Sequence, residues 1–464
     1  MRFLLTCIPG LGHFHPLVNL ARALIDAGHT VAFVTAPVFA RTVRDAGFEC
    51  IPGGMDWDER RLLETVPELR TVARSYRGEW MMNHIFLDRS PRRMVPDLLE
   101  IIRSWRPDAI VAGSFEYGGP LAAELAGLPY ATGSYTIRWN RWILRHALGR
   151  QIARLRREFG LPSDPDMSAF GRYLDLCFAP PSWTFESALL RPGLTKVVAN
   201  RVVSRDLPLR QRLWGLKALL LQRVFARSLK ARPEDGAVAA TMHFIGEPAA
   251  AEAAVPPWLQ DMPRQPTVFA SLGTVLGAEN PEIYDKILAA LRDQPVNLVL
   301  TLGGKGDPQR FGQQPSNVRI FGNFTQPELR QLLPRVDLCL NHAGYGSIMD
   351  SLLHGIPLVL LPLVSDAPMN NQMCLASGVA PELPGEVWGI SPKGLPVIQP
   401  EKLTPAIISD AVIITLRERQ YREAARKLQR ELTDRADLPT AVRLLEEMAA
   451  ASRPAGAATP LPAR

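Results

Sequence analysis

Short, uninterrupted apolar runs alternate with stretches of helical periodicity in this chain, and they do so twice, once in each half. No other feature constrains the fold as tightly. In the first half "RFLLTCI" (2–8) reads as a buried strand, "PGLGH" as a loop and "PLVNLARALIDAG" as a helix with Pro16 in its first turn and Gly28 as its stop. "TVAFVTA" is the next strand, and "DAIVAGS" (108–114) before "GGPLAAELAGLPYAT" reads as a further βαβ unit. In the second half "TVFASLG" (267–273), "NLVLTLGG" (297–304), "VRIFGN" (318–323), "LCLNH" (338–342) and "PLVLLP" (357–362) are strands between helical stretches. Strands that are apolar on both faces belong to parallel sheets covered on both sides, so the pattern predicts an α/β chain with two doubly wound sheets.

At 464 residues the chain is too long for one core. The reading places a first domain over 1–245, an Ala- and Pro-rich linker over 246–266 and a second domain over 267–451. A last helix runs over roughly 415–450 and packs back on the first domain, and a disordered tail covers 452–464. Residues 138–180 are arginine-rich and helical in pattern. Residues 205–232 form a basic amphipathic segment, read either as a surface helix over the first core or as a contact with a membrane surface. The net charge of +7 comes without interleaved aromatic platforms, so a nucleic-acid partner is not expected. Five scattered cysteines show no metal-ligand spacing, which suits a reducing cytoplasm and no metal site. The start lacks the pattern of a secretory leader, and no run is long and apolar enough to span a bilayer. The expected localisation is cytoplasmic, with a peripheral membrane contact through 205–232.

The stretch "LCLNHAGYGSIMDSLLHGIPLVLLPLVSDAPMNNQ" (338–372) carries the chemistry. A helix that opens just after a parallel strand presents free backbone N–H groups and a positive dipole, and phosphates bind there. Gly344 and Gly346 admit a phosphate without Cβ clashes, His342 and Ser347 can donate to its oxygens, and Asp350 can accept from a ribose hydroxyl. The same Ser347-x-x-Asp350 spacing is also that of a capping box, which needs no ligand.

These motifs resemble the donor-binding signature of the GT-B glycosyltransferases, and within them the bacterial antibiotic and macrolide enzymes related to the plant UDP-glycosyltransferases. The resemblance runs through "PGLGHFHPLVNLARAL", "PDAIVAGSFEYGGPLAAELAGLP", "PTVFASLGTVLG", "NFTQPELRQLLPRVDLCLNHAGYGS", "SDAPMNN" and the closing "QYREAARKLQRELTDRADLPTAVRLLEEM". It implies two Rossmann-like domains facing across a cleft. It also implies a nucleotide-diphosphate sugar, on UDP or dTDP, as co-substrate, with no further cofactor. His342, Gly344, Tyr345, Gly346 and Ser347 would hold the diphosphate, with Gly12 and Thr274 reaching it from other loops. Asp350 would take the ribose, Phe324 and Gln326 the base, and Asp366 the sugar hydroxyls. Three positions depart from the family: Asn323 stands where an aromatic is common, Ala343 where Gly or Cys is common, and Ala367 where the family has Gln.

Transfer to a hydroxyl needs a base, and a histidine titrates near working pH. His13, at the end of the first strand, matches the family's base, and one direct displacement would invert the sugar carbon. The plant relatives orient that histidine with an acid. Ser114 stands near that position here, and Glu116 is the substitute, whereas His15 is read as a structural neighbour. The acceptor is expected to be a lipophilic small molecule, a natural product or a lipid, held by the first domain. Trp80, Met81, Met82, Phe86, Tyr135 and Trp139 are read as pocket or core. The oligomeric state is read as monomer or homodimer.

Three rivals are weaker. A nicotinamide dehydrogenase would need G-x-G-x-x-G, which fails at His15. A metal-dependent enzyme would need a DxD after a strand, which neither "DWD" (56–58) nor "DPD" (164–166) supplies. A non-catalytic activator of glycosyltransferase type could dispense with His13 and His342, which this chain keeps.

Overall fold

The structure is a computed structural model describing residues 1–73, 76–135, 144–169, 171–204, 206–231, 241–246, 255–273, 280–303, 306–363 and 366–451. Thr274, Trp139, the Gln326 side chain and the tail 452–464 lie outside the described part.

Seven parallel strands form the first sheet: β1 (Arg2–Thr6), β2 (Thr30–Thr35), β3 (Glu49–Pro52), β4 (Ala109–Ala112), β5 (Tyr130–Ser134), β6 (Leu174–Cys177) and β7 (Met242–Phe244). Their order is β3-β2-β1-β4-β5-β6-β7. The second sheet is parallel too, with β8 (Thr267–Ser271), β9 (Asn297–Thr301), β10 (Val318–Phe321), β11 (Leu338–Asn341) and β12 (Leu358–Leu360) in the order β10-β9-β8-β11-β12. Strands β1, β4, β9 and β11 are buried along nearly their whole length, as apolar strands covered on both faces must be. A short antiparallel pair, β13 (Trp388–Ile390) and β14 (Pro396–Ile398), completes the sheets of the described residues.

The order in which strands are added reverses once in each sheet, between β1 and β4 in the first and between β8 and β11 in the second. At such a reversal the loops leaving the two strands part and open a crevice at their carboxyl ends. The connections after β1 and β4 carry Gly12 and His13, in the opening turn of a helix, and Glu116. Those after β8 and β11 carry Gly273 and "HAGYGS". The topology thus selects the same residues as the motifs do.

Several boundaries differ from expectation. The first helix is Leu11–Asp26, so Pro16 sits inside it, and Gly12, whose carbonyl loses its helical donor, is exposed to water. Residues 138–180 hold strand β6, hidden from the sequence because Asp175 interrupts a four-residue run. The expected last helix is three helices, Pro405–Arg417, Arg419–Thr433 and Leu438–Ala451. The chain divides into one compact unit of 1–181, 228–247 and 434–464 and another of 182–227 and 248–433. Residues 182–227, read as part of the first domain, therefore group with the second. So does Pro257–Gln260, a helix within the expected linker. In the first unit Leu438–Ala451 packs on the helix Leu11–Asp26, and His29 Nε2 meets Glu446 Oε1 at 2.8 Å. All five cysteines are buried and free.

Candidate functional site

In the second unit, β11 ends at Asn341 and the helix Tyr345–Leu353 begins four residues later. The turn between them is built by side chains. Asn341, 2 % exposed, accepts the Ala343 N–H on Oδ1 at 2.8 Å. That bond bends the backbone so that Ala343 has φ 65°, a left-handed conformation costing a residue with a Cβ about 1–2 kcal/mol. A Gly at this position would take up that conformation at less cost than Ala343 does. Asn370 holds the turn from the other side: its Nδ2 donates to the Ala343 carbonyl at 3.0 Å and to Asp366 Oδ2 at 2.8 Å.

The helix's N-cap is Gly344, and no side chain caps it. Ser347 lies inside the first turn, so the capping box with Asp350 does not form. The N–H groups of the first turn have no acceptor within the helix itself. The His342 ring lies against the backbone of two glycines. A Cβ on Gly344 would stand 2.5 Å from Nε2, and one on Gly273 would stand 2.6 Å from Cε1. Gly273 is itself left-handed at φ 72°, so it serves both the turn and the ring. Burial pushes the His342 pKa down, partly offset by the nearby Asp366 carboxylate and the Ser271 backbone, so the imidazole is neutral around pH 7. Its Nδ1 is buried and closes no hydrogen bond. A buried polar atom left without a partner costs about 1–3 kcal/mol.

Other expected donor residues fall around this turn. Gly346 is exposed, and Ser347 and Asp350 are half-buried. Tyr345 places its ring edge-on to Trp183, centroids 6.5 Å apart. Asp366 is exposed at the start of the helix Ala367–Ala376, whereas Ala367 is buried, 2 % exposed. Asn323 is exposed. Phe324 joins a cluster in which it lies 4.7 Å from Phe321, 5.9 Å from Phe269 and 6.4 Å from Trp258. Trp258 escaped the sequence reading because it falls in the presumed linker. Thr325 and Glu328 form a true capping box at the helix Gln326–Leu332.

In the first unit His13 sits in the opening turn of the helix Leu11–Asp26, its N–H bonded to the Gly10 carbonyl at 3.1 Å. Its ring meets the edge of Phe115 at 5.9 Å, and Phe115 stacks on Phe86 at 6.2 Å. Phe115 reaches this position through a left-handed φ of 65° in the turn after β4. Strain of this kind collects at functional turns.

Glu116 does not pair with His13. Buried to 4 % exposure, it accepts the Thr6 hydroxyl at 2.5 Å and the Gly118 and Gly119 N–H groups at 2.8 Å each. Burial raises its pKa, and these three bonds oppose the rise. Both oxygens are thus engaged in capping the helix Gly118–Ala126 and tying it to β1. Ser114 bonds the Gly133 carbonyl at 2.8 Å and accepts the Tyr135 N–H, so it braces the β4 and β5 loops. His15 is exposed. Of the expected acceptor residues, Met81 and Tyr135 are buried, with Tyr135 stacked on Phe178 at 4.8 Å, while Trp80, Met82 and Phe86 are half-buried. Among the described residues no group of three or more His, Cys, Asp or Glu could hold a metal ion.

Comparison with known proteins places both halves in one family. Residues 22–159 match the N-terminal domain and 285–450 the C-terminal domain of the erythromycin biosynthesis protein CIII-like family. The tylactone mycaminosyltransferase of Streptomyces fradiae is 27 % identical, covering 93 % of this chain and 89 % of its own length. The 10-deoxymethynolide desosaminyltransferase of Streptomyces venezuelae is 25 % identical, covering 93 % of each. Among solved structures, the glycosyltransferase VinC in complex with dTDP aligns with a TM-score of 0.66 at 20 % identity, covering 97 % of this chain and 100 % of its own. The two Rossmann-like sheets are those of the GT-B fold.

Proposed function

The chain belongs to the erythromycin biosynthesis protein CIII-like family and is a nucleotide-sugar-dependent glycosyltransferase of the antibiotic-biosynthesis type, and from that premise we propose an inverting, metal-independent transfer of a deoxyhexose from dTDP to a hydroxyl of a lipophilic small molecule. The observation that carries this reading is the uncapped helix Tyr345–Leu353 with the half-buried, neutral His342 beside it, whose buried Nδ1 closes no hydrogen bond. Diphosphate oxygens complete that arrangement. The helix N–H groups and Ser347 donate to them, and the positive helix end stabilises the charge that develops on the leaving diphosphate. In the reaction the acceptor oxygen bonds to the anomeric carbon as the bond from that carbon to the diphosphate breaks, and the hydroxyl proton passes to His13. The anomeric configuration inverts.

The preference for a deoxysugar rests on position 367. A Gln there would pair with a hydroxyl of glucose, and Ala367 does not. Asn370 and Gln372 are the nearby amides able to replace it. The Asn370 nitrogen is spent on Ala343 and Asp366, and the Gln372 oxygen accepts from Arg191 Nε at 3.2 Å and Nη2 at 2.9 Å. An unpaired hydroxyl in a closed pocket costs about 1–3 kcal/mol, and a deoxygenated carbon there loses nothing. The dTDP held by VinC supports the choice of nucleotide. Competition between dTDP-deoxyhexoses and UDP-glucose, compared by kcat/KM, tests the donor. A clear preference for UDP-glucose refutes it, and retained anomeric configuration in the product refutes the single displacement.

A further inference from the structure

The helix Leu209–Ala231 carries apolar side chains on two opposite faces. The inner face is accounted for: Phe225 is buried, and Trp214 and Leu219 pack beside Val198, Val202 and Ile390. The outer face is bare. Leu209, Leu213, Leu216, Leu220 and Val224 are 68, 54, 52, 63 and 44 % exposed. Spaced four, three, four and four residues apart, they fall within roughly 80° of one another at about 100° per residue. With Leu221 they make six of the eleven large apolar side chains that stand exposed among the described residues. This surface is concentrated on one helix.

Its borders are basic. On the same wheel Arg212, Arg223 and Lys230 line one edge, Arg210 and Lys217 the other, and Arg227 lies in the stripe. The helix has no Asp or Glu. Among the described residues Lys217, Arg223, Arg227 and Lys230 enter no ion pair. A second copy docked through this face would set the positive charges of one helix against those of the other, with no carboxylate from either helix between them. An anionic surface supplies the missing sign. No helix of the described residues is long and apolar enough to cross a membrane.

We propose that this face docks on an anionic lipid bilayer, with the helix lying in the membrane plane, its Leu and Val side chains at the acyl boundary and its Arg and Lys among the phosphates. Docking there would bring the enzyme to the phase where a lipophilic acceptor concentrates. Flotation of the full chain with phosphatidylcholine vesicles, with and without phosphatidylglycerol, tests the proposal. The expected result is at least about tenfold stronger partition onto the anionic vesicles, weakened by salt. Leu213→Glu with Leu220→Glu should abolish it, and Lys217→Gln with Arg223→Gln and Arg227→Gln should weaken it about a hundredfold. All five positions are exposed, so an unchanged thermal midpoint certifies the fold, and if the Glu variant fails to fold the Gln variant decides. Equal partition onto neutral vesicles, or none onto either, overturns the proposal. So does a lipid-free dimer that the Leu213→Glu, Leu220→Glu variant turns into a monomer, because the occupant would then be a second copy.

Discussion

Gly344→Ala separates the site from the fold. Gly344 has φ −70° and ψ 137°, which any residue accepts, so the substitution brings no backbone strain. Two small terms act on stability: Ala restricts the unfolded chain, a gain of about 0.4–1 kcal/mol, and it serves poorly as an N-cap, a loss of about the same size. Those two terms alone leave stability within about 1 kcal/mol of the parent, and any further loss measures the displacement of the His342 ring. The site responds differently. The new Cβ would stand 2.5 Å from His342 Nε2 and 2.8 Å from Cε1, so the ring must move, and its contact with Gly273 limits where it can go. Displacing it removes a hydrogen bond to a charged phosphate, worth roughly 1.5–3 kcal/mol, or about 10- to 150-fold in the Kd for dTDP. Calorimetry with dTDP measures the loss, and urea unfolding measures stability. His342→Ala should weaken dTDP by a similar factor, and the double variant should lose no more than either single one, because both remove the same contact. Two results refute the reasoning. If Gly344→Ala binds dTDP within about threefold of the parent while His342→Ala does not, the steric argument fails. If His342→Ala itself binds normally, His342 does not touch the diphosphate.

His13→Ala should lower turnover by about two to four orders of magnitude with dTDP affinity unchanged, and near-normal turnover would remove His13 as the base. Glu116→Gln leaves a neutral amide where a carboxylate accepts three hydrogen bonds, and should cost about 1–3 kcal/mol in urea unfolding. A large fall in turnover with stability intact would return Glu116 to the chemistry. Burial pushes the Asp175 carboxyl up to about 6, against hydrogen bonds from Ser134 and Thr132. Because the folded chain keeps that proton to higher pH than the unfolded one, the contribution favours folding fully below pH about 4 and is lost as pH rises through about 6. Asp175→Asn should flatten that limb of the stability curve, and an unchanged slope between pH 4 and 6 would assign it to another group.

The order of the elements was legible in the chain because apolar runs and helical periodicity are local signals. Residues 267–273, 297–304 and 338–342 each contain the strand expected of them. "HAGYGS" was legible for the same reason: a helix start after a parallel strand is a property of neighbouring residues. Its two readings, phosphate site or capping box, could not be separated locally, since both ask for Ser347 and Asp350. The N-cap at Gly344 removes the capping box. Other boundaries were misread where one residue contradicted its surroundings, as Pro16 did inside a helix and Asp175 inside a strand.

What the tertiary structure alone decided are partnerships between distant residues. Glu116 binds Thr6, 110 positions away, because β1 and β4 are neighbours at the sheet's reversal and a buried carboxylate takes whatever donors packing brings to it. Gly273 and Gly344 matter because the fold lays the His342 ring against both. The helix Leu209–Ala231 follows the same rule. Its basic and apolar residues were readable in order, but the face left bare depended on where Val198, Val202 and Ile390 came to lie. Side-chain type and spacing are written along the chain. Which groups lose their water together, and so must satisfy one another, is settled only when the sheets bring them into contact.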